Sequence, residues 1–256
     1  MLLTSDIGNT NITLGLFEGD NFKEELRIPS DRDMSKSEYE ALLKSLLKDY
    51  SIDSCVVGSV VEELNDKFIS AIKNIFNIEL VIVSDKINTG LVIKTDNPSE
   101  VGADRIANAA GAKLLYKTPV IVVDFGTATS FDILDAKGEF MGGVIAPGIN
   151  LQMKSLNKFT SKLPRIDAAI SNNAIGRNTT EAILSGVIRG SASMIDGLVE
   201  QCEKELGQRV TLVATGGYSG LIANYLKRPF DYINPTLTLE GLKQIYLLNK
   251  SIKAEV

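Results

Sequence analysis

The sequence predicts an α/β protein of two similar domains, each a mixed sheet flanked by helices, with a cleft between them. The first observation is a repeat in which a strand delivers an aspartate to a small-residue turn, at Asp6 and again at Asp124. The second is that three strands precede alternating helices and strands, which is typical of a mixed sheet. The third is size, because 256 residues with 44% hydrophobic residues can bury a substantial core. We therefore place the domains at 1–115 and 116–256.

The repeated unit has a strand, a carboxylate, a small turn, a second strand and a further turn. Aligning Asp6 with Asp124 also aligns Gly8 with Gly126. The turn at 125–129 offers backbone amides and hydroxyls without bulk, which suits phosphate oxygens. An aspartate and a glycine after a strand are also common turn chemistry, but two matched copies favour a functional role. Two such units facing each other would place two carboxylates and two phosphate-sized turns across one cleft.

The elements of the first half follow from hydrophobic periodicity. Apolar residues at helical spacing predict two amphipathic helices, and short apolar runs predict strands. The predicted elements are a strand ending at Asp6, a strand ending at Gly19, strands at 22–28, 55–61 and 80–83, and helices at 37–50 and 65–76.

A third helix has a well-marked start. Asn97 can cap it, Pro98 suits the first helical position, and Glu100 completes a capping box. We therefore predict an alanine-rich helix from this point to about residue 116.

Two charged residues, Asp104 and Arg105, would lie one turn into that helix. Gly102 inside a helix costs about 1 kcal/mol relative to alanine, which favours a close approach by another group. One interpretation is a solvated charge pair on the helix surface. The other is a carboxylate base beside a cation that binds an acidic substrate.

The second half predicts strands at 120–123, 130–134, 142–148 and 210–214, a loop at 158–169, and helices after Asn178, at 219–225 and at 237–248. Asn178 and Glu181 form a capping box, so Thr179 would sit at a helix N-terminus. Free amides there attract anions, although simple capping is the alternative. Glycines recur along that helix and suggest a second helix packed closely against it, within the chain or across a dimer; they are Gly186, Gly190 and Gly197.

Composition excludes several function classes. A net charge of −5 without a Lys/Arg run argues against a nucleic-acid partner. No apolar run reaches membrane-spanning length, and the N-terminus does not resemble a signal peptide, so we expect no membrane partner and a cytoplasmic location. Cys55 and Cys202 are isolated, which makes a disulfide framework or zinc site improbable. The absence of histidine removes histidine bases and ligands, leaving acid–base work to carboxylates, Lys or Tyr.

Phosphoryl transfer fits the remaining features. It needs oxygen-binding turns, a divalent cation and a group that orients the acceptor hydroxyl. The chain has no G-x-x-x-x-G-K-[ST] motif, so a metal and backbone amides must carry more of the electrostatic work. A loose transition state demands little of a base, so Asp104 need only orient the hydroxyl and take its proton late.

Six blocks, in this order, resemble type III pantothenate kinases. They are Asp6-Ile-Gly-Asn-Thr-Asn, Glu100-Val-Gly-Ala-Asp-Arg, Asp124-Phe-Gly-Thr-Ala-Thr, Gly142-Gly-Val-Ile-Ala-Pro-Gly, Gly176-Arg-Asn-Thr and Thr215-Gly-Gly. The resemblance spans nearly the whole chain. It implies the duplicated ribonuclease-H-like domains of the actin-like ATPases, and the ATP-dependent phosphorylation of pantothenate to 4′-phosphopantothenate, the first step of coenzyme A synthesis.

The resemblance also implies the roles of individual residues. ATP would contact Asp6, Ile7, Gly8, Asn9, Thr10, Asn11, Ile12, Thr13 and Thr127. Pantothenate would contact Thr95, Gly102, Ala103, Asp104, Arg105 and Thr179, with Asp104 as the proton acceptor. Mg²⁺ would bind at Asp6, directly or through water, and K⁺ or NH₄⁺ at Asp124. A homodimer is implied as well.

One position departs from the family pattern, which has a tyrosine two residues before the Asn-Pro pair. This chain has Thr95 there, which removes an aromatic wall and a hydroxyl from the expected substrate site. The departure bears on pantothenate affinity and leaves a kinase for another small hydroxy acid as an alternative. A non-catalytic nucleotide-binding regulator or assembly protein is a further alternative, although Asp104 would have no purpose in nucleotide sensing alone.

Overall fold

Two five-stranded mixed sheets organise the chain in this computed structural model, which describes residues 1–84 and 86–253. The chain divides into two units. The first contains Met1–Leu114 and the C-terminal stretch that begins at Thr236, and the second contains Leu115–Pro235. These units differ from the predicted domains, 1–115 and 116–256, because the last helix packs with the first unit.

The sheet of the first unit has the strand order β3-β2-β1-β4-β5. The antiparallel neighbours are β1 with β2 and β2 with β3, whereas β4 runs parallel to β1 and β5 parallel to β4. The strands are β1 (Leu2–Ile7), β2 (Asn11–Glu18), β3 (Asn21–Pro29), β4 (Ser54–Ser59) and β5 (Leu80–Ile82). Four helices accompany them: α1 (Lys36–Leu46), α2 (Glu62–Phe76), α3 (Ala103–Leu115) and α8 (Leu237–Lys253).

Apolar side chains cover both faces of this sheet. On one face, Leu3 and Ile7 share a core with Tyr39 of α1 and Phe68 of α2, whose rings meet edge to face at 5.6 Å. On the other face, residues of β1 and β4 share a core with α3 and α8; they include Leu2, Val56, Ala103, Ile106, Leu239, Leu242 and Ile245. Successive side chains of β1 point to opposite faces of the sheet and therefore pack in two separate cores.

The sheet of the second unit repeats the same plan, with the strand order β10-β9-β6-β7-β8. Here β6, β7 and β8 are antiparallel, β9 runs parallel to β6, and β10 parallel to β9. The strands are β6 (Val120–Phe125), β7 (Ala128–Leu134), β8 (Phe140–Pro147), β9 (Thr211–Gly216) and β10 (Tyr232–Ile233). The predicted duplication of an α/β unit is confirmed, since β1 corresponds to β6 and Asp6 to Asp124.

The helices of the second unit are α4 (Ile149–Lys158), α5 (Thr179–Leu184), α6 (Gly190–Leu206) and α7 (Ser219–Ala223). A π-helical turn, Ser185–Arg189, joins α5 to α6. The sequence analysis missed α4, although Ile149, Met153 and Leu156 have helical spacing and pack in the core of this unit. Residues 160–178, all described, contain no helix or strand, which agrees with the predicted loop.

The close helix contact lies between α3 and α8, and the prediction that placed it at Gly186, Gly190 and Gly197 is wrong for contacts within this chain. Side chains added at those three positions would meet no other atom of the described residues within 4 Å. By contrast, a methyl group at Gly111 would lie 2.9 Å from the carbonyl oxygen of Leu237. A methyl group at Gly241 would collide with the carbonyl of Ala107. Glycines on both helices therefore permit backbone contact, which ties α8 to the first unit.

Gly241→Ala is expected to destabilise the protein, because its methyl group has no room against α3. We expect a loss of about 3 kcal/mol, which would lower the midpoint of thermal unfolding by roughly 5–10 °C. The matched control is Gly220→Ala on α7, where an added methyl group meets no described atom within 4 Å. The control should change stability by no more than about 1 kcal/mol. Equal midpoints for the two variants would contradict the proposed role of Gly241.

The helical stretch Thr179–Leu206 is long and apolar enough to cross a membrane by length and composition alone. A helix in the core of a water-soluble domain passes the same test. Here Ile183, Val187, Ile188 and Ile195 are buried in the core of the second unit.

Both cysteines are free, and burial raises the pKa of Cys55 to about 12, as expected for a core residue.

Candidate functional site

The first acidic turn follows β1 and is held from the end of β3. The Gly8 amide donates to the carbonyl of Asn11 at 3.0 Å, which closes the turn. Ser30 supports it twice, since its hydroxyl donates to the Gly8 carbonyl at 2.5 Å and its amide to the Thr10 carbonyl at 3.0 Å. Asp6 is half-buried, whereas residues 9–11 are exposed. The turn therefore presents small polar residues to solvent on a fixed backbone, and the sequence analysis missed Ser30 as its support.

The second acidic turn follows β6 and is enclosed by two glycines distant in sequence. The Gly148 amide donates to the Thr127 carbonyl at 3.2 Å. A methyl group at Gly148 would lie only 2.7 Å from the carbonyl oxygen of Gly126. Gly216, with φ +83°, ends β9 so close that a methyl group would lie 2.7 Å from the Asp124 carboxylate. The ends of β8 and β9 therefore lie against this turn, and only glycine leaves room for it at these two positions.

The donors at these turns suit hard cations bound together with phosphate. Asp124 offers one half-buried carboxylate near the end of β6, and Asp6 offers one near the end of β1. Within the described residues, no group of three or more Asp, Glu, His or Cys side chains could hold a metal alone. Mg²⁺ often binds through one or two carboxylates plus substrate phosphates, so this donor set fits Mg²⁺ or a monovalent cation.

The segment before Asp104 differs from its prediction. Pro98–Glu100 forms a short 3-10 turn, Val101 is extended, and α3 begins only at Ala103. The Asn97 side chain makes no cap and instead donates to the Glu100 carboxylate at 2.8 Å. Gly102 thus precedes the helix, and Asp104 lies in its first turn.

Close packing fixes this first turn. A methyl group at Gly102 would lie 2.6 Å from the Asp104 carboxylate, so only glycine leaves that carboxylate in place. Ala103 packs against Gly58 at the end of β4, where a methyl group at Gly58 would lie 3.6 Å from the Ala103 side chain. The close approach predicted at Gly102 is therefore present, and the approaching group is Asp104 itself.

The Asp104 carboxyl group has a shifted pKa. Burial raises its pKa, and the Arg105 amide, which donates to its Oδ1 at 2.8 Å, together with the Arg105 charge offsets this in part. A carboxylate with a raised pKa is a stronger proton acceptor once ionised, which suits a general base.

The second unit contains a cavity of about 800 Å³ between α4, α5 and the loop that precedes α5. Its apolar lining includes Pro147, Leu156, Leu163, Ala182, Ile183 and Val187, and its polar lining includes Gln152, Ser155, Arg177, Asn178 and Thr179. A mostly apolar cavity with a few polar groups is typical of a small-molecule site. Arg177 adds a cation, which the sequence analysis did not assign.

Thr179 opens α5 at the rim of this cavity. The Asn178 side chain accepts from the Glu181 amide at 2.9 Å, so the predicted cap is present. Glu181 returns its bond to the Arg177 amide at 2.9 Å rather than to the cap residue, which makes the predicted capping box only half correct. Thr179 is exposed and free of the capping role.

Thr95 is half-buried in the first unit. Its hydroxyl oxygen is buried and has no hydrogen-bond partner among the residues that the structure describes. A buried hydroxyl without a hydrogen-bond partner costs free energy, which marks Thr95 as a position where a further polar contact would be stabilising.

Comparison with known proteins gives consistent results. A family model described as type III pantothenate kinase matches residues 2–201. A protein of Dehalococcoides mccartyi strain CBDB1, named type III pantothenate kinase, is 42% identical over 254 residues, which are 97% of this chain and 96% of that protein. A relative from Exiguobacterium sp. AT1b with the same name is 40% identical over 98% of this chain and 100% of its own length.

Solved structures support the fold. A Campylobacter jejuni protein described as a Baf family transcriptional activator has a TM-score of 0.63 and 22% identity, over 97% of this chain and 99% of that chain. At these identities the likeness shows the fold alone. The two mixed sheets flanked by helices are the actin-like ATPase fold that the family resemblance implied.

Proposed function

Because this chain belongs to the type III pantothenate kinase family, we propose that it transfers the γ-phosphoryl group of ATP to the hydroxyl of pantothenate. The product is 4′-phosphopantothenate, and the reaction is the first step of coenzyme A synthesis. The observation that carries the proposal is the family match over nearly the whole chain, together with the paired acidic turns at Asp6 and Asp124.

The proposed ATP contacts are residues 6–13 in the first unit and Thr127 in the second. Small residues on fixed backbones support this assignment, because a phosphate-binding turn needs amides and hydroxyls without bulk. Mg²⁺ is proposed at Asp6, directly or through water, and K⁺ or NH₄⁺ at Asp124. When bound, these cations would neutralise charge on the transferring phosphoryl group. The chain's own part is to hold the triphosphate oxygens in place.

The proposed pantothenate contacts are Thr95, Gly102, Ala103, Asp104, Arg105 and Thr179. Asp104 would orient the acceptor hydroxyl and take its proton, and its raised pKa supports that role. Arg105 and Arg177 supply positive charge that suits an acidic substrate. The cavity at Thr179 supports binding of a partly apolar acid in the second unit.

We also propose that the protein is a cytoplasmic homodimer. The exposed Gly190 at the start of α6 supports self-association, because it has open space above it in a single chain. The sequence predicts a helix packed closely against the glycines of this helix, either within the chain or across a dimer, and a second copy of the chain would supply the latter. The buried apolar face of the 179–206 helix supports a location in aqueous solution.

The test is a steady-state assay of purified protein with ATP, Mg²⁺, K⁺ and pantothenate, in which ADP release is measured. We expect pantothenate-dependent ADP formation and a phosphorylated product. Release of ADP with another hydroxy acid but not with pantothenate would contradict the proposed substrate. Nucleotide binding without turnover on any acceptor would instead support the non-catalytic alternative.

Thr95→Tyr is expected to lower KM for pantothenate, by roughly 3–10-fold, by restoring an aromatic wall with a hydroxyl. KM for ATP should stay unchanged. Thr95→Val is the matched control, since it removes the unpartnered hydroxyl while keeping the shape, and it should leave both constants near the wild-type values. A Tyr variant whose KM for pantothenate is unchanged would exclude Thr95 from the substrate site, whereas a selectively higher KM would contradict the proposed benefit of an aromatic wall there.

A further inference from the structure

We propose that Arg189, which does not line the cavity, is a positioning residue for substrate binding. It would hold residues 171–178, the chain segment that leads into Thr179, in the conformation in which its last three residues form one wall of the cavity. The inference rests on the proposed function for the identity of the substrate. Its structural part, the ordering of residues 171–178 by Arg189, stands on the contacts alone.

Arg189 makes three hydrogen bonds to the start of this segment. Its Nε donates to the Ser171 hydroxyl at 3.2 Å, and its Nη2 donates to the carbonyls of Ser171 at 2.8 Å and Asn172 at 3.1 Å. The guanidinium also lies 4.9 Å from the centre of the Tyr225 ring. The Tyr225 hydroxyl accepts from the Ser171 amide at 2.7 Å, so Arg189 and Tyr225 both hydrogen-bond to Ser171. Ser171 is 4% exposed, which makes this the buried anchor of the segment.

The rest of the segment is attached to the helix that follows it. The Ser185 hydroxyl donates to the Ala174 carbonyl at 2.6 Å. Gly176 touches the helix directly, because a methyl group there would lie 2.5 Å from the carbonyl carbon of Glu181. The segment therefore reaches Arg177 and Thr179, both in the cavity wall, with its backbone path defined at each end.

The π-helical turn explains how one short stretch serves both tasks. A π turn adds a residue to the helix and redirects the side chains around it, and such turns occur often at functional sites. Gly186 and Val187 of the turn line the cavity, whereas Arg189 at its end faces the segment. The same π-helical turn therefore contributes two residues to the cavity lining and the arginine that holds Ser171.

Loss of the anchor should affect binding more than folding. Residues 172–175 are exposed, and Ile175 has 84% of its surface in solvent, so few other contacts order them. Segments of this kind open locally at low free-energy cost. If only a fraction of molecules holds the wall in place, the apparent affinity falls by that fraction.

The test compares Arg189→Gln with Arg228→Gln, a matched control in the same unit. Arg228 also makes several bonds, to Glu203 at 2.7 Å, the Val210 carbonyl at 2.6 Å and Asp231 at 3.2 Å, but it does not line this cavity. We expect Arg189→Gln to raise KM for pantothenate on the order of tenfold, with kcat and KM for ATP little changed. Arg189→Lys should be intermediate, because it keeps the charge but not the fork. Arg228→Gln should lower the unfolding midpoint without a selective change in KM.

Amide hydrogen exchange of residues 171–178 gives a second readout that needs no turnover. We expect faster exchange there in Arg189→Gln, and a smaller increase in Tyr225→Phe, which removes one hydroxyl and serves if the arginine variant does not fold. Unchanged exchange, or an equal rise in KM for ATP and pantothenate, would overturn the proposal. If the wild-type protein does not phosphorylate pantothenate, the proposed function fails, and the exchange result still decides whether Arg189 orders the segment.

Discussion

Asp104→Asn is expected to reduce turnover by a factor on the order of 10²–10⁴ while leaving the protein folded. Asparagine has nearly the same shape but cannot accept the hydroxyl proton, and positioned bases contribute rate factors of this size. KM for ATP should change little. The measurement is steady-state kinetics with both substrates varied. Glu100→Gln is the control, since Glu100 is an exposed carboxylate in the preceding 3-10 turn. Normal turnover in Asp104→Asn would refute the proposed role.

The same substitution is expected to change the pH dependence of stability. Burial raises the pKa of Asp104 in the folded state. The folded protein therefore binds a proton at this carboxylate more tightly than the unfolded chain does. Its contribution to stability is therefore fully present below the ordinary carboxyl pKa of about 3.9 and is lost as pH rises through the folded-state pKa. Asp104→Asn should accordingly be more stable than wild type near neutral pH, with the difference shrinking at acidic pH. Unfolding midpoints across this pH range measure the effect, and a less stable variant at neutral pH would contradict it.

Replacing K⁺ by Na⁺ is expected to lower kcat if the proposed cation site at Asp124 is correct, because Na⁺ is smaller and would fit a site of fixed size for K⁺ less well. Asp124→Asn should reduce the rate on the order of 10²-fold, the size of effect seen when one preorganised electrostatic group is removed from a reacting centre. It should also abolish the difference between K⁺ and Na⁺. Rates are measured at constant ionic strength.

The control for that experiment is Asp135→Asn, in the turn between β7 and β8, where the Asp135 side chain accepts from the backbone amides of Lys137 and Glu139. This variant should retain the response to K⁺. An Asp124→Asn protein that still distinguishes K⁺ from Na⁺ would place the cation elsewhere.

The sequence predicted the parts of this fold that depend on local pattern. The strands that carry Asp6 and Asp124 and the cap at Asn178 follow from apolar periodicity and turn chemistry. The duplication was readable because both copies place a carboxylate and a glycine at matching positions.

What the sequence did not reveal depends on contacts between distant residues. The assignment of α8 to the first unit rests on Gly241 against Ala107, which no local pattern encodes. Gly102 was placed inside a helix because its neighbours carry capping residues, whereas the 3-10 turn ended that run before α3 began. Arg189 had no local sequence signal, because its partners lie in an irregular loop and in the turn that follows α7.

The placement of α8 bears on how the chain folds during translation. The second unit is complete in sequence at Pro235, whereas the first lacks a covering helix until α8 has been synthesised. The unit that is synthesised first is therefore finished last, and until then Leu2, Val56 and Ile106 remain without the leucines of α8. Nascent chains therefore expose that apolar face until α8 has been synthesised and packs against it.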